Sequence, residues 1–272
     1  MSIFRNVVFV AALAGLVAGL AMSAMQFFAT TPLIVAAEEY EGMEVAAAPT
    51  AAPTAGAVSH SHDHGHSHEH DDHGHAHASD DAHAHDEDHG HAHDGWMPED
   101  GFQRESLTVL ANVVTAIGFG LVLVVVSELA GGIQSWRQGL YWGFAGFAVF
   151  TLAPGLGLPP ELPGMPAADL VARQAWWIAT VAATAGGLAL IAFGKRAVFA
   201  VVGVALIVAP HIVGAPQPES HASPVPVELH NQFVTAVTLT SLVFWLMLGT
   251  MVGTLRDRFA DPESGAEQGS VA

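Results

Sequence analysis

The chain has no cysteine and only eight lysine and arginine residues among 272. Without thiols there are no disulfides, no thiolate metal sites and no cysteine nucleophile. Any metal must be held by His, carboxylate, Met or backbone oxygen. The shortage of positive charge excludes a nucleic-acid surface, which needs a basic cluster. No Gly-rich phosphate loop with its lysine occurs, so the chain itself is not expected to hydrolyse ATP. No His-Glu-x-x-His ligand set and no Ser/His/Asp constellation stands out, which argues against an enzyme.

What is present is apolar. Hydrophobic residues make up 51% of the chain and charged residues 12%, too greasy a balance for an ordinary soluble domain. A helix needs about 20 apolar residues to cross a bilayer core. Six segments qualify, roughly 3–28, 107–129, 138–156, 174–193, 197–213 and 233–255. The third and fifth are short and end in Pro154 and Pro210, so a count of five stands beside six. The first also reads as a signal peptide, with Arg5, an apolar run and small residues near Ala21 to Ala24. Its length, and its continuation into Met25-Gln26-Phe27-Phe28, favour a retained span. The expected fold is an all-α polytopic membrane helix bundle of about six transmembrane helices with one long disordered His-rich outer loop. Its parts are a first helix over 1–28, the outer loop over 29–103, a membrane domain of about five further helices over 104–258, and a disordered cytoplasmic tail over 259–272.

Positive charge sets the orientation. With six spans, Arg5, Arg137, Lys195, Arg196, Arg256 and Arg258 share one side, and only Arg104 and Arg173 fall on the other. The first side is then cytoplasmic, both termini are inside, and the long loop is periplasmic or extracellular. Of the 26 acids, 21 fall on that outer face, which makes it a cation-attracting surface. Trp96, Trp136, Trp142, Trp176 and Trp177 sit near span ends, where interfacial anchors belong.

Within the long loop, Ala46 to Ala57 is an Ala/Pro/Thr-rich linker. Fourteen of the chain's 17 histidines follow in one window: His60, His62, His64, His66, His68, His70, His73, His75, His77, His83, His85, His89, His91 and His93. Imidazole is the commonest protein ligand for divalent transition metals. In an extended chain, His at i and i+2 point to one side, about 6–7 Å apart, close enough to share an ion. The ten acids between Ser59 and Gly95 add oxygen ligands and a negative field. Imidazole sites favour copper, nickel and zinc over cobalt, so the tract does not set the metal's identity.

Such a tract collects ions but cannot carry them through lipid. Candidate ligands nearer the bundle are His211, His230, Glu161 and Glu219, with Asp169 and Glu228 beside them and His221 in a more polar loop. His211 follows Pro210 at the outer end of an apolar span, and a polar residue at membrane depth suggests function. Arg173 can hold a carboxylate such as Asp169 or anchor to headgroups. Asn112 and Thr115 lie one turn apart on one helix face, suited to a hydrogen bond with a neighbouring helix or to a polar path. Met22 and Met25 read as packing residues. The pairs Gly15/Gly19, Gly139/Gly143 and Gly249/Gly253 permit close helix approach. Each odd span exits through a proline followed by an acid: Pro32 and Glu38, Pro154 and Glu161, Pro210 and Glu219. Each even span opens with polar residues: Gln103-Arg104, Arg173-Gln174 and Asn231-Gln232. This suggests three helical hairpins in parallel repeat, with their polar elements at one outer mouth.

These residues resemble the CbtA family of cobalt transporter subunits. The resemblance rests on Thr31-Pro32-Leu33-Ile34 with Glu38 and Tyr40 after it, the His-rich loop, Leu110-Ala111-Asn112 and Gly143-Phe144-Ala145-Gly146-Phe147. Its most specific parts are Leu158-Pro159-Pro160-Glu161-Leu162-Pro163-Gly164, Arg173-Gln174-Ala175-Trp176-Trp177 and Pro210-His211-Ile212-Val213-Gly214-Ala215-Pro216. It covers most of the chain apart from the linker and the acidic tail. The resemblance implies an inner-membrane protein of cobalt uptake for cobalamin synthesis, with five spans in the family's usual description. It also implies a small CbtB-type partner with one span and its own histidines. The expected function is a membrane subunit of a cobalt uptake transporter, with Co²⁺ as the transported ion and no organic cofactor. Nickel or zinc transport by the same design is the alternative, and a membrane-anchored metal buffer or sensor is a second alternative of another class.

Imidazole binds metal only when neutral, and it titrates near pH ~6.5. Cobalt retained on the outer face of intact cells is therefore expected to fall steeply between pH ~7.5 and pH ~5. Equal retention at both would mean that carboxylates, which stay ionised over this range, hold the ion instead.

Overall fold

Many large apolar side chains lie on the outside of this molecule, and many of its most buried positions are alanines. Val201, Ile178 and Leu110 are more than half exposed, whereas Ala11, Ala14, Ala18 and Ala116 are fully buried. Lipid rather than water suits such a surface, because helices in lipid associate through close backbone approach rather than by hiding apolar area. The computed structural model describes residues 2–40 and 101–259. The linker, the tract His60 to His93, Trp96 and the tail beyond Phe259 lie outside the described residues.

The elements are α1 (Ser2–Ala29), α2 (Thr31–Glu38), α3 (Phe102–Glu128), α4 (Trp136–Phe147), a π-helical turn (Ala148–Leu152), α5 (Ala153–Gly157), α6 (Leu170–Phe193), α7 (Ala197–Val213) and α8 (Val227–Phe259). No strand occurs among the described residues. The chain is a polytopic all-α bundle. By length and composition α1, α3, the continuous rod α4 to α5, α6 and α8 are each able to cross a membrane, five in all. The fifth predicted segment forms α7, an apolar helix of 17 residues.

Local sequence explains the breaks. Pro32 sits in the first turn of α2, where a missing N–H costs nothing. This short helix occupies the start of the stretch expected to be loop over 29–103, because Leu33, Ile34 and Ala37 give it an apolar face to bury. Ser135 caps α4 by accepting from the Gln138 amide. The third segment does not stop at Pro154. Proline removes an i→i−4 hydrogen bond and crowds the carbonyl one turn back, and the wider π turn just before it makes room for both.

The closest helix pairs are α1 with α3, α4 with α8, and α6 with α7. The expected repeat of three sequential hairpins is therefore not the packing observed. Glycine decides the difference. A Cβ at Gly139 or Gly143 would fall on the carbonyls of Gly249 or Trp245, and one at Gly249 on the carbonyl of Gly139. Gly15 and Gly19 lie against the α3 backbone at Ile117 and Val113 in the same way. Gly187 of α6 and Gly203 of α7 form the third such contact, outside the predicted pairs. The first helix is thus an integral member of the bundle. Helices α1, α3, α4–α5 and α8 enclose a core of Val10, Leu123, Val124, Phe147, Leu248 and Val252. The α6–α7 hairpin leans on the π turn and α5.

Gly249→Ala places a methyl group into backbone and is expected to cost about 1–3 kcal/mol. Gly118→Ala, which faces open space, is expected to be neutral or to gain up to ~1 kcal/mol from helix propensity. Thermal unfolding of the purified variants in detergent distinguishes them, and equal melting would mean that α4 and α8 are not in backbone contact.

Candidate functional site

Successive helices alternate in direction, so their ends collect into two faces. At one, the ring of Phe9 meets that of Phe259 at 5.5 Å, Glu128 pairs with Arg256, and Gly253 lies on Ser135. Lys195 and Arg196, in the α6–α7 turn, are at this same end. Six of the chain's eight cations gather there.

At the other end the three connections meet, as the polar pattern predicted. Ala37 from the first, Leu162 from the second and Val225 from the third are buried together with Phe233 of α8. The two remaining cations are both spent in ion pairs: Arg104 with Glu38, and Arg173 with Glu161 at 3.0 Å. Of the two readings of Arg173, carboxylate partner or headgroup anchor, the first holds, with Glu161 rather than Asp169 as the carboxylate. Asp169 is instead the N-cap of α6, with its carboxylate accepting from the Ala172 amide at 2.8 Å.

The predicted ligands are distributed over this end rather than converging. His230 is half-buried, with Nε2 3.2 Å from the Pro160 carbonyl, next to Glu161 in sequence. A carbonyl only accepts, so Nε2 carries the proton and Nδ1 is the nitrogen left for a ligand. His211 packs edge-on against Trp176, ring centroids 5.8 Å apart. The Pro210 carbonyl beside it accepts from the Trp176 indole at 3.3 Å and from the Gly214 amide at 3.0 Å, so it is occupied. Glu219, His221 and Glu228 are exposed. Among the described residues no group of three His or carboxylate side chains is placed to hold a metal.

The tryptophans divide by role. Trp136 is half exposed under the Arg137 guanidinium, as an interfacial anchor should be. Trp176 is buried and joins three elements: its indole bonds α7, and its ring fills the space a side chain at Gly157 would need. It is a tie rather than an anchor.

A second polar feature lies deeper. Asn112 of α3 donates its amide to Ser23 Oγ at 3.1 Å and to Gln26 Oε1 at 2.6 Å on α1. This is the interhelical bond expected of it. Asn112 also borders a cavity of about 210 Å³ with Thr115, Thr151, Ser241 and Met22. Thr115 follows Asn112 by three residues, as the sequence indicated. Thr151 and Ser241 escaped sequence reasoning, because a lone hydroxyl in an apolar span has no spacing to mark it. On the side toward the six-cation end, Phe119, Phe150 and Trp245 line the cavity. Their centroids lie 4.8–5.5 Å apart, and Phe150 is stacked flat on Trp245. Gly146 leaves room for that indole.

A family model described as CbtA, "Probable cobalt transporter subunit", matches residues 4–85 and 71–257. No curated protein and no solved structure matches the chain.

The Arg173–Glu161 pair is about a quarter exposed on each side chain. A double-mutant cycle with Arg173→Met and Glu161→Gln is expected to give a coupling of about 0.5–1 kcal/mol by thermal unfolding. Zero coupling would release Glu161 for metal.

Proposed function

The chain belongs to the CbtA family, and from that premise we propose that it is the membrane subunit of a cobalt uptake transporter whose His/Asp-rich outer loop captures Co²⁺. The family and the five apolar membrane-spanning helices carry the coarser statement, a multi-pass cobalt transporter subunit. The observation that supports the finer one is where the tract enters the chain. It is spliced between α2 and α3, whose facing ends are held by the Glu38–Arg104 pair at the end where all three connections meet.

Ions collected by His60 to His93 are delivered to this mouth. There His230 Nδ1, Glu161, His211 and Glu219 offer single or paired contacts, which suits a relay that must also let go. Both cations of this end are neutralised by ion pairs, so neither repels an arriving ion. By the positive-inside rule the six-cation end is cytoplasmic, in the inner membrane, and the tract is outside. The chain binds no nucleic acid and is not an enzyme. Energy coupling comes from elsewhere, and a small single-span CbtB-type partner fits the description as a subunit.

Nickel or zinc remains the second reading, favoured by the imidazole-rich tract itself, since such ligands bind both more tightly than cobalt. The test is accumulation of radioactive cobalt at nanomolar supply in cells with the gene, without it, or lacking residues 60–93, with unlabelled nickel and zinc as competitors. Accumulation is expected to need the gene and to fall only partly without the tract. Equal accumulation in all three strains would overturn the transport reading and leave a buffer or sensor.

A further inference from the structure

A helix in lipid has no water for its side-chain hydroxyls, so they bond back to a carbonyl of the preceding turn. Most of this bundle obeys. Ser23, Thr180, Thr238, Thr240, Thr250 and Thr254 each donate to the residue four back. Among the described spans four Ser and Thr hydroxyls make no hydrogen bond: Thr115, Thr151, Thr184 and Ser241. Thr184 is buried in α6. The other three, from three different elements, border the same half-open cavity, Thr151 and Ser241 half-buried and Thr115 exposed. Asn112 joins them in a complementary state. Both its amide hydrogens are spent on α1, which leaves Oδ1 as the atom it can offer the cavity.

The cavity thus presents four neutral oxygens whose bonding capacity is unused. It contains no carboxylate and no imidazole. At about 210 Å³, it holds roughly seven waters at ~30 Å³ each, the size of a divalent ion with its first hydration shell. Such an ion loses little hydration on entry and gains oxygen partners for its bound waters. Neutral ligands bind a divalent ion weakly, which is what passage requires.

We infer that this chamber is a mid-membrane resting site for a partly hydrated divalent cation, held by Asn112 Oδ1 and the hydroxyls of Thr115, Thr151 and Ser241. The inference deepens the cobalt-transport reading and rests on it. Phe119, Phe150 and Trp245 close the site toward the six-cation end, so the ion leaves inward only when these rings part.

Thr151→Val with Ser241→Ala removes two of the oxygens at almost constant volume. In cells carrying the complete transporter, this double variant is expected to lower cobalt uptake about tenfold. Its level in the membrane and the cobalt held on the cell surface by the His tract should be unchanged. Uptake equal to that of the parent overturns the chamber. Absence of gene-dependent uptake in the parent itself overturns the transport reading instead, so the two failures are distinguishable. Because the chain has no cysteine, Ser241→Cys introduces a single reporter thiol and serves if the double variant does not reach the membrane. Cobalt and magnesium alike are expected to slow its reaction with a small cationic methanethiosulfonate several-fold, since neutral oxygens hold either hydrated ion, and a rate that neither ion changes overturns the chamber.

Discussion

Everything in this bundle follows from a solvent that cannot hydrogen-bond. Lipid obliges each backbone polar group to find its partner inside its own helix, and it makes large apolar side chains as comfortable outside as in. What then holds the helices together is contact between backbones at glycine. Gly139 and Gly143 against Gly249 and Gly253, Gly15 and Gly19 against α3, and Gly187 against Gly203 are the three seams. The same scarcity of partners explains why unspent hydroxyls are worth noticing. In a soluble protein, water would satisfy Thr115, Thr151 and Ser241 without remark.

The two ends differ in chemistry because their charges differ in number and in company. The end with six cations is crossed by the Glu128–Arg256 pair. The opposite end has two cations, each paired to an acid from a connecting segment. Those pairs tie the first two connections to α3 and α6, at the end where Ala37, Leu162, Val225 and Phe233 form a small apolar cluster.

Much of the fold was legible in the sequence. Runs of apolar residues located the spans, and the small-xxx-small pairs located two of the three seams. The polar residues at span ends marked the end where the three connections meet. The i, i+3 spacing of Asn112 and Thr115 located one wall of the chamber. Pairing between helices was not legible. Adjacent hairpins are the natural expectation for short connections, yet α4 goes to α8 because glycine on both lets them approach more closely. The partner of Arg173 was hidden because Asp169, nearer in sequence, satisfies its own helix. Trp176 looked like an interfacial residue by position, and only the space at Gly157 and the bond to Pro210 reveal it as buried. Thr151 lies within the π turn that precedes Pro154, a local rewinding that no apolar pattern marks.

Helix α7 is shorter than its neighbours, 17 residues, or about 25 Å at ~1.5 Å per residue. The hydrocarbon layer is about 30 Å thick. The hairpin of α6 and α7 leaves most of α7's side chains on its outer surface, so the mismatch is borne by lipid rather than by protein. A helix this short suits a bilayer that thins beside it, and Lys195 and Arg196 at its start are placed to reach toward headgroups. A membrane thinner on that flank than on the other would fit the molecule best. Its ease of rearrangement becomes a property of acyl-chain length as much as of sequence.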